Sequence, residues 1–314
     1  MRRRTPAPPA PLPQRHGIDP VRLRLPATGP WATVRDHLVE RLPVPASLID
    51  GMLDERAIIG ADGPVTPDTP FTPGGYVWYH RDLPDEVPVP FPITIVHRDD
   101  NVVVVDKPHF LAMAPRGRHV AETALARLRR DLRLPELSPA HRLDRLTAGL
   151  AMFVVRREHR GAYQGLFQDR LVRKEYEAIA PYDPALELPR TVCSRIVKER
   201  GDLAAREVAG PPNSRSRIEL AERRDGLGRY RLLPVTGRTH QLRLHMSSLG
   251  VPILADPLYP RVLPDPAPDD FSRPLQLLAR TLEFTDPISG AALSLTSTRT
   301  LEAWPAGAPG RHPS

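Results

Sequence analysis

The chain has 314 residues, 40% of them hydrophobic, which is enough apolar material for a sizeable core and excludes a wholly disordered chain. Its formal net charge of +7 at pH 7 and a pI of about 10.0 fit a polyanionic partner, phosphate being the usual one. The single cysteine, Cys193, excludes an internal disulfide and a cysteine-based zinc site, and no apolar run reaches the roughly 18 residues of a membrane span.

Residues 1–30 are rich in proline and arginine and read as a disordered arm, with Arg2, Arg3, Arg4 and Arg15 on a solvated tail. No apolar stretch follows the basic start, so the arm does not read as a secretory signal, and the expected compartment is the reducing cytoplasm. Residues 31–82 form a small module. Val34, Leu38, Val39 and Leu42 recur at helical spacing, as do Leu48, Ile49, Met52 and Leu53, and the run Tyr76, Val77, Trp78, Tyr79 is strand-like. Over 31–56 the acidic residues outnumber Arg35, Arg41 and Arg56, an unusual balance for helices that would face phosphate.

Residues 83–92 hold four prolines and read as a linker. A catalytic-sized domain then spans 93–303. Strands are expected at 93–96 and 101–105, on either side of the turn-forming pair Asp99 and Asp100. The stretch 150–155 is continuously apolar, as in a strand buried on both faces. Further strands are expected at 174–180, 216–221 and 230–235, with helices at 122–132 and 158–167. The mixture predicts an α+β domain around a mostly antiparallel mixed sheet flanked by helices. Residues 304–314 read as a disordered tail.

Three motifs carry chemistry. The first is His141, Arg142, Leu143, Asp144, Arg145, Leu146, Thr147, Ala148, Gly149, a carboxylate between two arginines ahead of an apolar strand. Neighbouring guanidinium groups favour the ionised carboxylate, although a bare Arg-x-Asp-Arg is ordinarily a surface ion pair. The second is Lys174, Glu175, Tyr176, Glu177, Ala178, in which Lys174, Tyr176 and Ala178 share one strand face. The third runs Thr236, Gly237, Arg238, Thr239, His240, Gln241, Leu242, Arg243, Leu244, His245, and then from Gly250 and Pro252 to Asp256 and Tyr259. A turn at Gly237 and Arg238 would lead into a helix with Gln241, His245 and Ser248 on one side. Arg243 would then point about 200° from Gln241, at roughly 100° per residue. His240 and His245 are five apart and make a poor metal pair.

Together these motifs resemble the H-R-L-D-x-x-T-S-G, K-x-Y-x-A and T-G-R-x-H-Q elements of RluA-type pseudouridine synthases, and the resemblance spans about 93–303. It implies an isomerase that converts uridine to pseudouridine in ribosomal RNA or tRNA, without a cofactor and as a monomer. It also implies that Asp144 is the reacting carboxylate, as nucleophile or as base at the sugar. Tyr176 would stack on a flipped-out base, and Arg243 would pair with Asp144 and keep it ionised. Arg142 would fill the space left by the base. Arg145, Arg238 and Lys174 would meet RNA, while His141, Thr147, Gly149, His240 and Gln241 would support the loop and fold. Arg156, Arg157, Arg160, Arg170 and Arg173 form either an extended phosphate track or a solvated face. The small module resembles the alpha-L RNA-binding module that precedes such domains.

Departures from the pattern are Ala148 in place of Ser, and Leu278 and Asp286 in place of two histidines. Two other classes compete. A non-catalytic RNA-binding or ribosome-assembly factor would find Asp144, Tyr176 and Arg243 dispensable. A glycosidase commonly needs two carboxylates, and Asp256 reads as a loop residue.

Overall fold

The computed structural model describes residues 8–80, 82–83 and 85–304. The chain divides into two compact units, Met1–Asp85 and Glu86–Ser314.

In the first unit, strand β1 (Val21–Arg24) is followed by helices α1 (Val34–Arg41) and α2 (Ala46–Asp54), then by β2 (Ile59–Gly60), β3 (Gly63–Pro64) and β4 (Tyr76–Tyr79). The strands form one sheet in the order β1-β4-β2-β3. Thr33 caps α1 in a reciprocal box. Its hydroxyl accepts from the Asp36 amide at 3.1 Å, and the Asp36 carboxylate accepts from the Thr33 amide at 3.0 Å. Leu38, Ile49, Leu53, Ile58 and Val77 close the core. Arg35 is spent on Asp50, 2.8 Å away on α2, which leaves the two helices little free positive charge.

The expected disordered arm needs correction. Val21, Leu23 and Leu25 alternate with Arg22 and Arg24, and this period of two makes a strand that pairs antiparallel with β4 and buries Leu25. Proline content around the segment hid a four-residue strand. Arg2, Arg3 and Arg4 lie outside the described residues.

The second unit comprises β5 (Thr94–Arg98), β6 (Val102–Lys107), α3 (Ala124–Leu132), β7 (Ser138–Pro139), β8 (Ala148–Val154), α4 (Arg160–Gln168), β9 (Arg173–Pro181), β10 (Arg190–Val197), β11 (Arg206–Val208), β12 (Ser214–Arg224), β13 (Leu227–Pro234), α5 (Gln241–Ser248), β14 (Leu277–Thr285) and β15 (Ala292–Thr296). Its sheet has the path β11-β10-β12-β13-β9-β14-β8-β6-β5, with β15 on β14 and β7 on β8. Every pairing is antiparallel except β14 with β8. The α+β class with a mostly antiparallel mixed sheet is therefore what the chain adopts.

Strands β6 and β8 are buried along their whole length. Val103, Val105, Ala151 and Phe153 face α3, while Val102, Val104, Leu150 and Met152 face α4. Two covered faces explain the unbroken apolar runs. Helix α5 packs Leu242 and Met246 over Ala178, Ile218 and Leu232 of the neighbouring strands.

The expected linker at 83–92 also needs correction, because its second half belongs to this unit. The Glu86 carboxylate accepts from the amides of Val120, Ala121 and Glu122 at 2.7–3.1 Å, and Val89 is buried in the core. Prolines cannot donate, so side chains hold this extended segment in place. At the other end Trp304 is buried beside Leu301, so the core extends one residue into the expected tail. Residues 305–314 lie outside the described ones.

Gly149 follows Ala148 in the parallel pairing of β8 with β14. Its φ is +105°, and a Cβ there would lie 2.3 Å from the Ala279 carbonyl oxygen. Only glycine brings β8 this close to β14. Gly149→Ala is therefore expected to cost roughly 3 kcal/mol or more of stability through clash and strain. The midpoint of urea unfolding measures this loss.

Candidate active site

Asp144 lies in the loop that enters β8, with its side chain 28% exposed. The Thr147 amide donates to the Asp144 carbonyl at 3.1 Å and closes a turn, and Thr147 is buried. The loop is fixed at its start by His141. This ring stacks on Phe167 at 4.3 Å, and its Nε2 accepts from the Met152 amide at 3.1 Å. Nδ1 therefore carries the proton, which it donates to the Arg142 carbonyl at 3.3 Å. At the other end Lys107, fully buried at the end of β6, donates from Nζ to the carbonyls of Pro108, Leu111 and Arg145 at 2.8, 2.8 and 3.3 Å. Three acceptors match the three protons of an ammonium. Burial pushes Lys107 down to about 7, and the nearby charge of Asp144 opposes that shift. Sequence reasoning passed over Lys107; a charged residue closing the apolar run of β6 was the available signal.

Arg243 is buried on α5, and its main partner is Asp256. Nε donates to Oδ2 at 2.8 Å and Nη2 to Oδ1 at 2.6 Å, with both side chains at most 2% exposed. Nη1 stands 4.0 Å from the Asp144 carboxylate. Two expectations change here. Arg243 is shared between two carboxylates, with the bidentate pair going to Asp256, and Asp256 is a buried anchor instead of a simple loop residue. Asp256 Oδ1 also accepts from the amides of Leu258 and Tyr259, at 2.9 and 3.2 Å. Burial works against the charge of Arg243, but the hydrogen bonds and charge of Asp256 outweigh it and raise the guanidinium above its ordinary value.

The other side of α5 faces the sheet, as its periodicity predicts. Gln241 Nε2 donates to the Arg215 carbonyl and to Ser216 Oγ at 3.0 and 2.8 Å, and its Oε1 accepts from Thr236 Oγ1 and the Arg238 amide. His245 Nε2 lies 3.1 Å from both Ser194 Oγ and Ser214 Oγ. His240 Nδ1 instead meets Tyr259 Oη at 3.0 Å, so the two histidines have separate partners.

Asp144, Tyr176 and Arg243 line one cavity of about 390 Å³. Tyr176 comes from β9, between Leu232 of β13 and Ala279 of β14. Ala279 in turn pairs with Gly149, so the chain from loop to β8 to β14 to β9 sets Asp144 against Tyr176. Burial and the charge of Asp144 both raise the phenol above its ordinary range. Lys174 and the exposed Arg142 and Arg238 also border the cavity. Arg145 is not among the cavity-lining residues; its Nη1 is 3.5 Å from the Phe110 carbonyl. Three members of the arginine run bond to protein groups: Arg156 to the Asp100 carbonyl, Arg160 to the Glu136 carbonyl and Arg173 to Glu283.

The departures from the resembled motifs have local explanations. Ala148 and Leu278 are register partners across β8 and β14, inside an apolar cluster with Ile179, Leu301 and Trp304. Two polar positions have become one apolar contact. Asp286 accepts from the amides of Ile288 and Ser289 at 2.9 and 2.7 Å and from the Tyr163 hydroxyl, which secures the turn after β14.

A model of the family described as RNA pseudouridylate synthase matches residues 101–248. The dual-specificity RNA pseudouridine synthase RluA of Pasteurella multocida is 33% identical over 221 residues, covering 65% of this chain and 92% of that protein. Ribosomal large subunit pseudouridine synthase D of Neisseria meningitidis is 30% identical over 271 residues, covering 79% of this chain and 70% of that protein. Human pseudouridylate synthase RPUSD2 is 33% identical over 171 residues, and the chain spans only 31% of its length. The solved structure of human RNA pseudouridylate synthase domain containing 4 shares the fold, with a TM-score of 0.50 at 24% identity over 65% of this chain and 88% of that one.

Burial also pushes His141, His240 and His245 down to about 4. In the unfolded chain they titrate near 6.5, so between these values the unfolded state binds more protons than the native one. Stability is then fully present above about 6.5 and falls as the pH drops toward 4. Urea midpoints measured across this window are expected to decline steadily, and His245→Asn should make the slope shallower.

Proposed function

The chain belongs to the RluA-type pseudouridine synthase family, and from that premise we propose that it isomerises uridine to pseudouridine in structured RNA, with Asp144 as the reacting carboxylate. The observation that carries this reading is the shared cavity: a partly buried carboxylate stands 4.0 Å from a buried arginine and faces the same space as Tyr176. The reaction breaks the bond between ribose C1′ and N1, turns the base, and joins C5 to C1′. The C5 proton is lost and N1 gains one, so no atom or electron is added and no cofactor is consumed. Asp144 acts at the sugar, as nucleophile at C1′ or as base.

A base inside a stacked helix is out of reach of this carboxylate, so the target uridine must leave its stack first. That costs a few kcal/mol, of which stacking on Tyr176 returns about 1–3 kcal/mol. Arg142 stands at the cavity mouth, where it can fill the vacated space, and Lys174 and Arg238 border the path of the phosphates. The substrate is ribosomal RNA or tRNA, and a dual-specificity synthase and a ribosomal large-subunit synthase are both among the relatives. The cytoplasm is the expected compartment; no helix among the described residues is long and apolar enough to cross a membrane.

Incubating wild type and Asp144→Ala with unmodified total RNA, followed by carbodiimide-based mapping, tests the proposal. Wild type is expected to place pseudouridine at a defined uridine and Asp144→Ala to place none. If neither protein forms pseudouridine yet both bind RNA equally, the chain is a non-catalytic RNA-binding factor.

A further inference from the structure

His240 occupies an unusual position at the start of α5. Its backbone is left-handed, with φ +58°, and its ring borders the cavity that holds Asp144 and Arg243. The hydrogen-bond pattern dictates which ring nitrogen carries the proton. Tyr259 Oη donates its only proton to the Ala205 carbonyl at 2.9 Å and accepts from the Ala205 amide at 2.8 Å. The remaining contact of that oxygen, to His240 Nδ1 at 3.0 Å, must then be donated by the imidazole. A neutral ring protonated at Nδ1 has a bare lone pair at Nε2.

Among the described residues Nε2 has no hydrogen-bond partner, and it is not sealed from solvent. Two other neutral acceptors around the cavity are spent. His141 Nε2 takes the Met152 amide, and Gln241 Oε1 takes Thr236 Oγ1 and the Arg238 amide. The charged groups that bear on the ring are Asp144, Arg243, Asp256 and Lys198. Burial keeps the imidazole neutral through the physiological range, so the acceptor persists there.

A flipped-out uridine offers two donors to such an acceptor, the ribose 2′-hydroxyl and uracil N3–H. The place of His240 decides between them. The ring is within electrostatic reach of Asp144, the group that acts at the sugar, and C2′ is one bond from C1′. Uracil, by contrast, is directed to the Tyr176 side. We propose that His240 reads the sugar, its Nε2 accepting a hydrogen bond from the 2′-hydroxyl of the target nucleotide and so favouring RNA over DNA. This rests on the proposed uridine isomerisation, and it adds a specificity-determining residue to that site. The 2′-hydroxyl is the group by which a protein tells the two nucleic acids apart.

The test uses an RNA stem-loop with uridines in its loop, the same stem-loop with 2′-deoxyuridine at those positions, and a third with N3-methyluridine. Equilibrium binding is measured for wild type, His240→Asn and His240→Gln. Asparagine tolerates the left-handed backbone and keeps a donor for Tyr259 but has nothing at the Nε2 position. Glutamine reaches that position with a carbonyl acceptor. Wild type is expected to bind the ribose form about 10-fold more tightly than the deoxy form. His240→Asn should lose that ratio by weakening only the ribose form, and His240→Gln should restore part of it. Equal weakening on both sugars, or an unchanged ratio, overturns the proposal and leaves His240 a structural residue. So does a ratio that responds to N3 methylation instead of to the sugar. If discrimination follows His240 but no stem-loop uridine is isomerised, sugar recognition stands and the catalytic reading of the site fails.

Discussion

A buried guanidinium is tolerated only where its charge is paired and its donors are used. Asp256 meets that condition for Arg243, and the arrangement of the site follows. With two donors held by Asp256 in the low-dielectric interior, Arg243 cannot swing, and Nη1 is set toward Asp144 at 4.0 Å. At that range the Asp144 carboxylate faces the positive charge without surrendering its oxygens to a short ion pair. The same Asp256 holds the amides of Leu258 and Tyr259, and Tyr259 holds His240. One carboxylate thus couples the helix that carries Arg243 to the loop that orients His240.

The sheet supplies the other half of the geometry. The parallel pairing of β8 with β14, allowed by Gly149, puts the strand that follows Asp144 beside β14, and β14 lies beside the strand of Tyr176. Lys107 adds a second tether, because its ammonium gathers three carbonyls, one of them within the Asp144 loop. The Asp144 loop and Tyr176 are therefore both held by the core, as a pre-organised site requires.

Much of this was legible from residue order. The doubly buried strand β8 appeared as a continuous apolar run and β6 as a β-branched one, and the helical spacing of α5 separated Arg243 from Gln241 and His245. What escaped was whatever depends on partners far apart in sequence. The Arg243–Asp256 pair joins residues on opposite sides of a turn, and nothing local marks Asp256 as buried. The fit of Ala148 to Leu278 is visible only once β8 and β14 are known to be parallel neighbours. Short strands set among prolines, such as β1, carry too little periodicity to outweigh their composition, and Glu86 shows its role only through the distant amides it receives.

Whether Asp256 aims Arg243 at Asp144 is tested most directly by the single-turnover rate of Asp256→Asn. Asparagine keeps the shape and an acceptor for the Leu258 and Tyr259 amides but removes the charge that holds the guanidinium. Arg243 should then close onto Asp144, and the rate of pseudouridine formation should fall by about 10² at unchanged RNA affinity, the scale that a displacement of about 1 Å costs an aligned site. A variant that turns over at the wild-type rate would show that Asp256 does not set the aim of Arg243.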